Sequence, residues 1–260
     1  MPTVGFRRRG IVAAAVVALL AFNFAAPARA DRLALWTIVH SQCAAHAEAG
    51  QGPAPCERID LAHGDDQGVA LLKDRVGIAQ FLAIPTRRVT GIEDPFVLDP
   101  AAPNYFAFAW AARDALAAPL GRTLPREDVS IAINSSFARS QDQLHLHLDC
   151  LDQDVAATVA GNLESLDESW RPMAEPLKGR VYWARRILSD DLSGVRPLAL
   201  LADGAPDARA HMADESLIVI GATFAGKPGF ALLADRAELT QGGHAEDLQD
   251  HNCTVAQKAR

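Results

Sequence analysis

The sequence predicts an α+β fold: an antiparallel sheet with helices packed on one side, in a single compact domain with a C-terminal α/β extension. Three observations predict it. Two central runs, residues 128–134 and 143–150, alternate apolar and polar side chains as half-buried strands do. Two further pairs of apolar runs are joined by short Gly-containing connections and read as hairpins. Helical runs fall between these strands, and no low-complexity linker divides the 260 residues. Apolar residues make up 49% and charged residues 22%, which suits a packed core and excludes wholesale disorder.

The elements follow in order. Arg7, Arg8 and Arg9 precede an uncharged apolar run over 11–26, and Ala28 and Ala30 then occupy the two positions that a signal peptidase reads. Residues 1–30 are therefore expected to be a secretory signal. The other reading is an uncleaved N-terminal anchor, for which a run of about 16 residues is short against the roughly 20 that a span needs. Residues 31–260 form the domain. Residues 32–49 read as a helix with Leu35, Trp36, Val39 and Cys43 on one face. Runs 68–74 and 78–85 form a hairpin around Arg75-Val76-Gly77, and 86–103 is turn-rich. Residues 104–118 read as a helix with Asn104 as N-cap, its aromatic run of Tyr105, Phe106, Phe108 and Trp110 packing into the core. Strand 128–134, polar loop 135–142 and strand 143–150 come next. A helix over 152–170, a strand over 179–187 and a helical stretch interrupted near Pro206 follow. A hairpin then pairs 216–223 with 230–235 across 225–229. GFALLADRAE at 229–238 echoes GVALLKDRVG at 68–77 in six of ten positions, either a trace of duplication or two similar strand endings.

Charge and cysteines narrow the function. There are 25 basic and 32 acidic residues, a net charge of −7. Removing residues 1–30 takes away four arginines and no acid, leaving −11. An acidic body is not a nucleic-acid binder, which needs a basic field to displace counterions. In an oxidising compartment Cys43, Cys56, Cys150 and Cys253 are expected to form two disulfides. Three pairings exist. Cys43–Cys56 is favoured because the two lie close across a Gly/Pro-rich loop, which leaves Cys150–Cys253.

The chemistry concentrates in Gln143-Leu144-His145-Leu146-His147-Leu148. Residues two apart share a strand face, so Gln143, His145 and His147 line up opposite three leucines. Upstream, Asn134 ends a strand and the donor-rich loop 135–141 follows, with Arg139, Ser140 and Gln141. Such donors around paired imidazoles suit a phosphoryl site, where they neutralise oxygens while a neutral imidazole attacks phosphorus. Arg87 and Arg88 add positive charge. A zinc reading needs a third ligand from His63, His244 or His251, and the spacing points to none of them. No metal and no cofactor are expected.

The order of these features resembles the histidine-triad superfamily of nucleotidyl hydrolases and transferases. Within it the chain is similar to the CDP-diacylglycerol pyrophosphatase family. The resemblance is carried by LLKD (71–74), QFLAIPTRR (80–88), GIEDP (91–95), PNYFAFAWAARD (103–114), AINSS (132–136), RSQDQLHLHLDC (139–150) and LQDHNC (248–253). It implies a histidine-triad-like sheet and hydrolysis of CDP-diacylglycerol to CMP and phosphatidate. It implies His145 as nucleophile, His147 on phosphate oxygens, Asn134 in support, Arg139 and Ser140 on phosphate, and Asp74 on the ribose. It also implies a periplasmic location in peripheral contact with the inner membrane. Lys73, Arg87, Arg88 and Arg139 are expected to make a positive pocket on the acidic body. The first triad position is Gln143 rather than His, and Gln80 stands where the wider superfamily has a further His. An amide cannot carry a proton through a catalytic cycle. Two alternatives stay open at this point: a soluble envelope pyrophosphatase for another nucleoside-diphosphate conjugate, and a non-catalytic nucleotide- or lipid-binding protein.

Overall fold

Nine antiparallel strands form one continuous sheet in the computed structural model, which describes residues 1–3, 5, 31–238 and 241–257. The expected apolar export run and its cleavage point lie outside the described residues. In chain order the strands are β1 (Arg58–Asp60), β2 (Val69–Lys73), β3 (Phe81–Pro85), β4 (Val129–Ile133), β5 (Leu146–Cys150), β6 (Arg171–Pro172), β7 (Trp183–Ile187), β8 (Glu215–Phe224) and β9 (Lys227–Arg236). Across the sheet they run β1-β2-β3-β5-β4-β8-β9-β7-β6. The described residues from Asp31 onward make one compact unit.

Both expected hairpins form. β2 pairs with β3 from Val69↔Pro85 to Lys73↔Phe81. β8 and β9 are longer than expected, because the turn is only Ala225-Gly226, both at positive φ. Two central residues of positive φ make the primed turn whose twist matches that of the flanking strands. The echoing runs fall in β2 and β9. β2 is the first strand of its hairpin and β9 the second, so the likeness is one of strand endings rather than of a repeated unit.

Helices cover both faces of the sheet, not one. α1 (Ala34–Ile38) runs through a wider π turn (Val39–Ala44) into α2 (Ala45–Glu48). Val39 and Cys43 pack on Ala70, Leu72, Leu82 and Ile84. α3 (Tyr105–Ala111) packs on Leu71, Phe81, Ala83, Ile131, Leu146 and Leu148, the alternate positions of the same strands and hence the opposite face. Asn104 caps α3, its Oδ1 accepting from Ala107 N at 3.1 Å. The expected helix over 104–118 is broken: a tight turn (Arg113–Leu116) leads into α4 (Ala117–Leu120), which ends at Gly121 in a left-handed conformation. Tyr105, Phe106 and Trp110 are buried in this core. α5 (Gln153–Asn162) is capped by Asp152 and ends well short of Trp170. It returns to the first face, on Ile218 and Ile220. α6 (Pro197–Gly204) joins α3, and the indole of Trp170 donates to Leu200 O at 2.8 Å.

Both expected disulfides are present, Cys43–Cys56 and Cys150–Cys253. Such bonds persist in oxidising compartments and mark an exported protein. Among the described residues no helix is long and apolar enough to cross a membrane.

Candidate active site

On the first face, between the cluster under α1 and the cluster under α5, the sheet carries polar groups. His147 in β5 pairs with Leu82 of β3 and Ala132 of β4, and so points to this side. Here a cleft of about 480 Å³ opens, lined on its polar side by Lys73, Asp74, Ser140, Gln141, His145, His147 and Glu246. Leu35, Ile38, Leu72 and Leu82 form an apolar wall.

The expected strand over 143–150 begins only at Leu146, and Gln143 is the reason. Its fully buried amide donates to Pro85 O at 3.0 Å and Arg87 O at 2.9 Å, and its Oε1 accepts from Arg88 Nη1 at 3.2 Å. These bonds hold the loop after β3 and turn the Gln143 side chain away from the cleft. Its backbone carbonyl contributes instead, meeting His145 Nδ1 at 2.7 Å. A carbonyl only accepts, so Nδ1 carries the proton and Nε2 keeps its lone pair. Burial, aided by nearby His147, pushes the His145 imidazole down to about 4. At neutral pH it is uncharged, with the lone pair on Nε2.

His147 stands 4.9 Å from His145, ring centroid to centroid. Its Nδ1 lies 2.8 Å from Gln80 Nε2 and 3.1 Å from Glu246 Oε1. Its Nε2 is buried and has no protein partner. Gln249 Nε2 donates to the His147 carbonyl at 2.9 Å.

Glu246 gathers most of the remaining polar groups. Gln80 Nε2 donates to Oε1 at 2.9 Å and Asn134 Nδ2 to Oε2 at 3.0 Å, while Glu246 N donates to Asn134 Oδ1 at 3.1 Å. His251 Nε2 lies 3.4 Å from Oε1, and His251 Nδ1 lies 2.8 Å from Asp149 Oδ2. Burial alone would raise the Glu246 carboxyl, but His147 and the amides of Gln80 and Asn134 outweigh it and hold the group well below the usual carboxylate range. The Asp149 carboxylate raises the His251 imidazole against its partial burial.

The expected positive pocket is mostly elsewhere. The Arg139 guanidinium makes a two-pronged pair with Glu93 at 2.6 and 2.7 Å and reaches Asp142 at 3.4 Å. Arg88 donates to the Asp142 carbonyl, and Arg87 stacks on the Phe96 ring, 3.8 Å from its centroid. None of the three lines the cleft. Its cations among the described residues are Lys73 and Arg75, and the Lys73 ammonium donates to the carbonyls of Asp74 at 2.8 Å and Gly77 at 3.1 Å. Ser140 and Asp74 do reach the cleft. So does Gln141, which also ties the start of α1: its Nε2 donates to Asp31 O at 2.9 Å and its Oε1 accepts from Leu35 N at 3.2 Å. Arg32 adds a fork to Asp142, both contacts 2.6 Å.

Sequence reasoning missed Glu246, Gln249 and the placement of His251. A signal existed. Cys253 bonded to Cys150 draws the residues just before it against β5. Among the described residues, the group of His, Cys, Asp and Glu atoms close enough to share a metal is Asp149 with Cys150 and Cys253, and its two sulfurs are joined to each other. His145, His147 and Glu246 do not converge in that way.

Known proteins agree with the resemblance. The family model for CDP-diacylglycerol pyrophosphatase matches residues 30–257. A CDP-diacylglycerol pyrophosphatase of Yersinia pestis is 41% identical over 224 residues, which cover 85% of this chain and 84% of that protein.

Proposed function

Since the chain belongs to the CDP-diacylglycerol pyrophosphatase family and hydrolyses CDP-diacylglycerol, we propose that it does so in the His145–His147 cleft through a cytidylyl-histidine intermediate. The observation that carries this reading is the His145 imidazole, neutral and held at Nδ1 by the Gln143 carbonyl at 2.7 Å, beside a second imidazole whose Nε2 is unpartnered. His145 Nε2 attacks the phosphorus nearer cytidine, and phosphatidate leaves with the electron pair of the broken P–O bond. Water then attacks the same phosphorus, the P–N bond breaks, and CMP departs. Two displacements by good nucleophile–leaving group pairs replace one direct attack of water on an anionic diester. An N–H on His147 Nε2 and the groups of Ser140 and Lys73 meet the phosphoryl oxygens, and Asp74 meets the ribose hydroxyls. The enzyme works in the periplasm at the outer face of the inner membrane, in peripheral contact with the bilayer that holds its substrate.

The test is trapping. Wild-type protein mixed briefly with substrate labelled in the cytidylyl phosphate, then quenched in base, should carry acid-labile label. His145→Ala should carry none and turn over nothing, and His145→Asn should fold and be inactive. Full activity in either variant, or no label on wild type, overturns the reading.

A further inference from the structure

The water step needs a proton acceptor, and the first triad position cannot supply it. Gln143 is an amide, and its side chain is committed to the loop after β3. His145 is bonded to phosphorus during that step. Among the described residues His147 lines the cleft, and its buried Nε2 has no protein partner. The other ring nitrogen has an unusual pair of neighbours. Gln80 Nε2 at 2.8 Å is a donor, and Glu246 Oε1 at 3.1 Å is an acceptor. Gln80 can donate into a bare Nδ1, which leaves the proton on Nε2 for a phosphoryl oxygen. Alternatively Nδ1–H can donate to Glu246, which leaves a lone pair on Nε2. The two partners therefore support the two tautomers that the two half-reactions need. The carboxylate is itself fixed from every side, by Asn134 after β4, Gln80 before β3 and His251, which Asp149 of β5 backs in turn.

We propose that Glu246 is a positioning residue for the hydrolytic half-reaction: it holds His147 in the Nδ1–H form, so that Nε2 takes the proton from the attacking water. The inference rests on the covalent reading above. The water oxygen bonds to phosphorus as one of its protons moves to His147 Nε2. The P–N electron pair returns to His145 Nε2, and CMP leaves. The imidazolium so formed faces the Glu246 carboxylate through Nδ1–H and later releases its Nε2 proton to solvent. Glu246 thus serves a transient charge, as a buried carboxylate behind a catalytic imidazole does.

The experiment compares Glu246→Gln with wild type in the trapping assay. Loss of the carboxylate should slow the water step by roughly 10²–10⁴-fold while cytidylylation proceeds. Labelled protein should then accumulate towards one label per chain at steady state, with phosphatidate released in a single burst. Glu246→Asp, which keeps the charge on a shorter arm, should recover part of the turnover and lower the trapped fraction. A Glu246→Gln protein that is folded and slow but carries no more label than wild type overturns the proposal. So does one that turns over normally. If Glu246→Gln does not fold, Glu246→Asp decides alone: a trapped fraction no higher than that of wild type overturns the proposal. Absence of label from wild type itself removes the covalent reading, and this inference with it.

Discussion

Removing the Cys150–Cys253 disulfide should cost more than its contribution to stability, because the bond also holds part of the site in place. It closes a span of 103 residues, against 13 for Cys43–Cys56. In the chain-entropy picture these spans are worth about 4.7 and about 2.9 kcal/mol at room temperature, a difference of about 1.8 kcal/mol. Their neighbourhoods differ more than that. Cys253 fastens the stretch that brings Glu246 to His147, Gln249 to the His147 carbonyl and His251 to Asp149. Cys56 fastens Pro55 and the apolar wall under α1. The paired variants Cys150→Ala/Cys253→Ala and Cys43→Ala/Cys56→Ala should therefore separate in both measurements. Urea unfolding should rank the first as the less stable by about 1–2 kcal/mol. Turnover of folded protein, measured well below the unfolding midpoint, should show a fall in kcat for the first and mainly a rise in KM for the second. Equal losses of stability with kcat intact in both would refute the reasoning, since neither loop length nor the attachment of Glu246 would then matter.

Other outcomes follow from the same contacts. His145 is buried and its pKa is depressed to about 4. The unfolded chain therefore binds a proton below about pH 6.5 that the folded chain refuses, so stability is full above that value. It falls by on the order of 3 kcal/mol as the pH drops towards 4. His145→Asn should flatten that slope in urea titrations. The cytidylylation rate should hold from neutral pH down to about 5 and fail near 4, and failure already at pH 6.5 would contradict the buried neutral imidazole. The Arg32 fork holds the Asp142 carboxyl down to about 2. Its contribution to stability, present above about pH 4, is lost as the pH falls through about 2, and the Arg32→Gln protein should lack that transition. Arg139→Ala strands Glu93 and should cost about 3 kcal/mol of stability while leaving the KM of folded enzyme unchanged; a rise in KM would place Arg139 on the substrate after all.

What was legible in the sequence was whatever is local. Alternation revealed β4 and most of β5, because each side chain of a strand is sorted by the layer it faces. Asn104 announced α3 through a bond only three residues long. Long-range bonds were not legible. Gln143 looks like a strand residue facing the site, and its amide spans more than fifty residues to two carbonyls. The direction of an arginine depends on which carboxylate it finds, and Glu93 lies far upstream of Arg139. Nothing in the local sequence sets Glu246 apart from the other acids. Only the Cys150–Cys253 pairing, itself read from the sequence, contained the hint that its segment returns to β5.

The order of parts along the chain has a consequence for timing. His145 and His147 are made first, and Glu246 and Cys253 follow about a hundred residues later. A growing polypeptide thus displays its imidazoles long before the carboxylate that completes them arrives. Where thiols stay reduced, the stretch around Glu246 also lacks its tether to β5. On the role proposed for Glu246, full hydrolytic competence comes only once that segment has been made and oxidation has joined Cys253 to Cys150.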